Sequence, residues 1–154
     1  AASARPDSAL GLELASEERE QEKLRLRRLL KDFAKESIAG LAVNVVNPKT
    51  RRAPPYFFQM DRNLTVFSLQ PEDGSTVESV LGEFRMRDVA SVYRGQEVSR
   101  RAPQLGRDAA NCVGLDMRPR ERSLLLHFDD PCDMDKFYTS LQLLKISVGL
   151  ERAA

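Results

Sequence analysis

Residues 49–58, KTRRAPPYFF, place three cations, Lys49, Arg51 and Arg52, directly before a proline pair and three aromatics. Lys and Arg side chains that converge on one point form charge-assisted hydrogen bonds to phosphate oxygens. The same residues also make an ordinary solvated loop, so the run poses a choice between an anion site and a plain turn. Pro54 and Pro55 bear on that choice because neither offers a backbone N–H to an anion.

Other reactive side chains are sparse. His127 is the only histidine, in SLLLHF, where alternation turns it away from Leu126 and Phe128. A triad or a zinc set needs partners this sequence does not supply, so His127 is read as a structural or surface residue. Asp129, Asp130, Asp133 and Asp135 lack the spacing and central glycine of a calcium loop, and suit helix capping and a helix first turn instead. Cys112 reads as a small core filler and Cys132 as a partly exposed thiol, neither with a histidine partner for catalysis. The expectation is a non-enzyme with no metal and no cofactor.

The elements that hold these residues follow from periodicity and turn chemistry. Residues 1–15 show no period and read as a flexible lead-in. Ser16 suits an N-cap, and Leu26, Leu29, Leu30 and Phe33 follow helical spacing, predicting an amphipathic helix over 16–37. Its opposite face is basic, with Arg27, Arg28, Lys31 and Lys35. The four-residue apolar stripe serves either to pack on the rest of the domain or to meet a partner or a lipid surface.

After Gly40 the text turns to short strands: 41–47, 55–60, 64–70, 77–84, 89–95, 110–117 and 123–128. Residues 95–109, GQEVSRRAPQLGRDA, read as a polar loop. Asp130 and Pro131 then open a closing helix with Phe137, Leu141 and Leu144 on one face. Strands spaced this way predict a small antiparallel barrel, and the helix suits plugging one open end.

Composition limits the partners. The 154 residues allow one cored domain with an appendage. The 24 cations against 23 anions leave a net charge of +1, which gives no global attraction to nucleic acid. No apolar run approaches the roughly 20 residues needed to span a bilayer. Two cysteines make no disulfide framework, so an intracellular setting is expected.

The element order, with GEFRMRDVASVYRG at 82–95 and the closing-helix segment Asp133–Ile146, resembles a pleckstrin-homology domain over about residues 38–149. The resemblance implies a seven-stranded antiparallel barrel of two near-orthogonal sheets capped by a C-terminal helix. To this the chain adds an N-terminal helix at 16–37 and a short tail at 150–154. Phe137 stands where most members carry tryptophan. Within the superfamily the chain looks most like the inner-membrane-complex sub-compartment proteins of apicomplexan parasites, in its helical lead-in, its MRDVASVYRG segment and its closing helix.

A phosphoinositide-binding member carries a lysine near the end of the first strand and Arg/Lys-x-Arg opening the second. Here no Lys or Arg lies between Ile38 and Pro48, where Asn44 and Asn47 stand, and the second-strand positions read Pro54-Pro55-Tyr56. The lipid site, comprising Lys49, Arg51, Arg52 and Arg62, is therefore expected to be degenerate. What the resemblance implies is a scaffold that binds another protein on the cytoplasmic side of the inner membrane complex. There it would organise sub-compartments and division, attached by acylation of an N-terminal segment ahead of Ala1. The alternative is a reader of phosphoinositide or phosphatidic acid. Partner-contact residues are expected among Tyr56, Phe57, Arg85, Arg87, Arg100 and Arg101, and on the Leu26, Leu29, Leu30, Phe33 stripe.

Overall fold

The computed structural model describes residues 4–47, 49–72, 82–118 and 122–153. The chain divides into two compact units, residues 1–32 and 33–154. Helix α1 runs Ala4–Ala39, so it begins well before Ser16, where the sequence suits a cap, and takes in most of the expected lead-in. Ser16 is continued through because the ALGLELA text ahead of it is mostly Ala and Leu, which favour helix. Gly40, at φ 118, ends it where only glycine is unstrained.

Seven strands follow: β1 Leu41–Val45, β2 Pro55–Met60, β3 Val66–Pro71, β4 Glu83–Arg85, β5 Val89–Arg94, β6 Cys112–Met117 and β7 Arg122–His127. They form one antiparallel sheet in the order β4-β3-β2-β1-β7-β6-β5. Among the described residues β4 and β5 are its two edges, so the sheet does not close into the full barrel expected. Its halves are joined by only two register pairs, Asn44 with His127 and Val45 with Leu126. Residues 77–81 of the expected fourth strand lie outside the described residues.

Two strand ends differ from the sequence reading for local reasons. β1 stops at Val45 because Asn47 begins a turn, although Val46 still donates to the Leu125 carbonyl at 2.8 Å. β3 starts at Val66 rather than Leu64, because Leu64 sits at φ 58 in a turn built by Asp61. Asp61 Oδ1 accepts from the Thr65 and Val66 N–H groups at 2.7 and 3.0 Å, and Oδ2 accepts from Thr65 Oγ1 at 2.8 Å. Burial alone would raise the Asp61 pKa, but these bonds outweigh it and hold the carboxyl below its ordinary value.

Strand alternation decides the core. Along β2, Tyr56, Phe58 and Met60 are buried while Pro55, Phe57 and Gln59 are exposed. Phe58 and Phe67 stack at 5.1 Å, and Phe33 from the last turns of α1 joins them at 6.2 Å from Phe58. Helix α3, Pro131–Ala153, closes this core. Asp130 Oδ1 accepts from the Cys132 N–H at 2.8 Å, satisfying an N-terminal donor as the Asp-Pro pair predicts. Phe137 is fully buried against Phe33, Phe58 and Phe128. Gln142 Nε2 donates to the Val92 carbonyl of β5 at 2.9 Å, tying the helix to a sheet edge.

The supposed polar loop after β5 is helical. Helix α2 spans Gln96–Arg101 and a 3-10 segment spans Pro103–Asn111, broken at Gly106. Val98, Ala102, Leu105 and Ala109 from this region are buried with Val46, Tyr93, Cys112 and Leu125 in a second apolar cluster. The loop reading failed because Gly95, Pro103 and Gly106 punctuate the text and hide that spacing.

Candidate functional site: the β1–β2 loop and the arginine positions

The β1–β2 loop is organised by one side chain. Asn47 Oδ1 accepts from the Lys49 and Thr50 N–H groups at 2.9 and 3.4 Å. The Asn47 carbonyl accepts from the Arg51 N–H at 2.8 Å, and the Asn47 N–H donates to the Arg52 carbonyl at 2.8 Å. Thr50 Oγ1 accepts from the Arg52 N–H at 3.3 Å. Below the tip, the Val45 N–H donates to the Pro54 carbonyl at 3.1 Å.

The chemical consequence is direct. Lys49, Thr50, Arg51 and Arg52 all use their backbone N–H groups inside the loop, and Pro54 and Pro55 have none. An anion at this tip would meet side chains and the Ala53 N–H rather than the N–H groups of Lys49 to Arg52, and the side chains of Lys49, Arg51 and Arg52 are exposed to water. Asn44 sends its side-chain amide to the His127 carbonyl at 3.4 Å. The two asparagines noted at cation positions are thus working parts of the sheet and the turn. The sequence revealed their identity but not that role.

Arg62 and Arg85 do not stand at this loop. Arg62 lies exposed in the β2–β3 turn, and Arg85 pairs in register with Val66 beside it. That turn sits at the far end of β2 from the β1–β2 loop, roughly 17 Å away for a strand of this length. Arg87 is exposed in the 3-10 turn Met86–Asp88. Lys49, Arg51 and Arg52 therefore stand at one end of β2, with Arg62 and Arg85 at the other.

Arg101 is held by its own fold. It bonds Glu97 Oε1 at 2.9 Å and Asp116 Oδ2 at 2.5 Å, and its guanidinium lies 4.1 Å from the Tyr93 ring centroid. Asp116, and then Glu97, raise the Arg101 pKa further. Asp116 also accepts from Ser91 Oγ and Ser123 Oγ, each at 2.8 Å. Burial acts to raise the Asp116 pKa, yet the bonds from Arg101, Ser123 and Ser91 leave it below the ordinary carboxylate value. Arg100 is exposed and pairs with Glu97. Arg94 pairs with Asp135 and lies 4.3 Å from the Tyr138 ring centroid. These contacts brace β5, α2 and α3, and the loop reading of 95–109 concealed those on Arg100 and Arg101.

Among the aromatic candidates, Tyr56 is buried and Phe57 exposed, so the two point to opposite faces of β2. A partner on the outer face meets Phe57 alone. Phe33 is a core residue, whereas Leu26, Leu29 and Leu30 are half-exposed. Cys112 is buried, and burial, with the nearby Asp108 charge, pushes its thiol up to about 11. Cys132 is exposed. His127 Nδ1 lies 3.8 Å from Asp129, Asp130 caps α3 and Asp135 holds Arg94, which accounts for three of the four aspartates.

Among the described residues no helix is long and apolar enough to cross a membrane. No protein-family model and no curated protein sequence matches the chain. Solved structures do. Inner membrane complex sub-compartment protein 1 of Toxoplasma gondii is similar with a TM-score of 0.58 at 18% identity, over 77% of this chain and 92% of that one. Sub-compartment protein 3 of the same organism gives 0.55 at 18%, over 75% of this chain and 81% of that one. The pleckstrin-homology domain of TgAPH gives 0.52 at 9%, over 80% and 93%. With seven antiparallel strands, a closing helix and these likenesses, the chain has the pleckstrin-homology fold.

Proposed function

We propose that this chain is a non-enzymatic pleckstrin-homology module. On this reading it binds another protein at a membrane, organising a sub-compartment of the inner membrane complex and supporting division, and its phosphoinositide pocket is degenerate. One observation carries the reading. The β1–β2 loop, where such a pocket would stand, uses the backbone N–H groups of Lys49 to Arg52 for its own turn. No described cation stands on β1, whose residues are Leu41–Val45. The resemblance to the sub-compartment proteins supports the location. Membrane attachment on this reading comes from acylation of an N-terminal segment, and since one acyl chain anchors only marginally, a second lipid or a bound partner completes it.

Lys49, Arg51 and Arg52 retain a simpler role. Three exposed loop cations attract any anionic leaflet, each by about 1 kcal/mol near the surface, without reading the head group. Vesicle co-sedimentation tests this reading. Vesicles of phosphatidylserine and vesicles carrying a phosphoinositide, matched in total charge, should sediment equal fractions of the protein, with both signals falling as salt rises. A ten-fold preference for one phosphoinositide at matched charge would replace the scaffold reading with the lipid-reader reading.

A further inference from the structure

Helix α1 carries opposite charges on the two halves of a single face. Leu24, 51% accessible, stands at the middle of this face. At 100° per residue, Glu17, Glu20, Arg28 and Lys31 all fall within about 40° of Leu24 around the helix axis. All four are exposed. Toward the N-terminus the face is therefore acidic, and toward the C-terminus it is basic, with the leucine between. Among the described residues only one of the four is drawn into a pair along the helix, Glu20 with Lys23 at 3.4 Å, and both of those side chains stay largely in water.

Such a face is complementary to itself when turned end for end. If a second copy is laid antiparallel with Leu24 on Leu24, Glu17 comes opposite Lys31 and Glu20 opposite Arg28, and the two-fold axis repeats both pairs. The contact is isologous, closes on itself and leaves no unmatched end. It covers the exposed leucines and joins four ion pairs over a span of about 21 Å.

We propose that α1 is a self-association surface, and that its occupant is α1 of a second copy of this chain, paired antiparallel about Leu24. The charge pattern selects this occupant. A lipid surface would use the basic half and repel the acidic half, whereas a second copy uses both. The inference is independent of the reading of the β1–β2 loop and stands or falls separately from it.

Sedimentation equilibrium on the full chain tests it, from about 10 µM to about 1 mM, the range in which weak specific contacts become populated. The wild type should show a monomer–dimer equilibrium. Dimer formation should weaken at least ten-fold between about 50 mM and about 500 mM salt, as the Debye length shortens roughly three-fold. Glu17→Lys with Glu20→Lys should be monomeric, and so should Arg28→Glu with Lys31→Glu, while circular dichroism shows helix content unchanged. Mixing the two variants should restore a dimer of one copy of each, because every facing pair then has opposite signs. A wild type that stays monomeric across the range would overturn the proposal. So would association that survives both charge reversals, or a mixture that fails to pair while both variants stay folded. Wild-type binding to anionic vesicles without self-association would assign the basic half to lipid and overturn it too.

Discussion

Phe137→Ala lowers the stability of the domain by about 3–5 kcal/mol, the largest single effect expected in this chain. Phe137 has no exposed surface and touches three other rings, with centroids 5.8 Å from Phe33 and 5.0 Å from both Phe58 and Phe128. The Phe33 and Phe58 contacts are edge-on, at 75° and 78°, an arrangement that adds about 0.5–1.5 kcal/mol per pair beyond area burial. Removing the ring leaves a cavity that three elements, α1, β2 and α3, must each shift to fill. A domain of ordinary stability, about 5–15 kcal/mol, loses a large part of its margin. Urea unfolding checks this through a lower midpoint at unchanged slope. Phe137→Leu, which retains much of the volume, should lose clearly less.

Gly114→Ala is destabilising by about 1–3 kcal/mol, although in an unobstructed strand alanine is the more favourable residue. A Cβ at position 114 would come within 2.2 Å of the Tyr93 ring, its cross-strand partner in β5. That ring is not at liberty to swing aside. It is itself buried and lies under the Arg101 guanidinium, which is fastened to Glu97 and Asp116. The substitution therefore displaces Tyr93 and disturbs the bracing of α2 together. A double-mutant cycle with Tyr93→Ala separates this from a generic strand effect. With the ring removed, Gly114→Ala should be close to neutral, and the coupling should recover most of the single-mutant loss. Equal costs in both backgrounds would show that the ring is not what the glycine accommodates.

Much of the fold was legible because its signals are local. PYFFQM gave β2 with its bounds intact, since Pro54 lies ahead of it and the turn Asp61-Arg62-Asn63 follows it. Asp130 and Pro131 announced the start of α3, and Phe137 announced its buried face. What escaped depends on contacts between distant parts of the sequence. Val98, Ala102, Leu105 and Ala109 keep helical spacing, but Gly95, Pro103 and Gly106 read as loop punctuation, and only the apolar surface of β6 and β7 makes the segment worth ordering. The same holds for the arginines. A run such as Ser99-Arg100-Arg101 reads as a basic patch until Asp116, far along the chain, takes one of its members. Closure of the barrel was likewise not a local property, and the sheet stays open at β4 and β5 among the described residues.

Residue types at the candidate site are legible in the text, whereas their arrangement depends on the fold. The lack of a cation on β1 was visible in the text, and the structure adds that Asn47 turns the neighbouring N–H groups inward. Nothing in the text of the expected partner contacts Tyr56, Phe57, Arg85, Arg87, Arg100 and Arg101 signals that Tyr56 is buried and Arg101 is paired. Strand polarity likewise separates Arg62 from Lys49, a consequence of β2 running its full length between them.

Calorimetric titration of the protein with soluble inositol phosphates tests most directly whether cations of the first two strands converge on a head group. A protein whose loop is closed on Asn47 should give no binding heat with any of them at up to millimolar ligand, a limit of about 4 kcal/mol of binding free energy. Micromolar binding that disappears on Lys49→Ala with Arg51→Ala would contradict it.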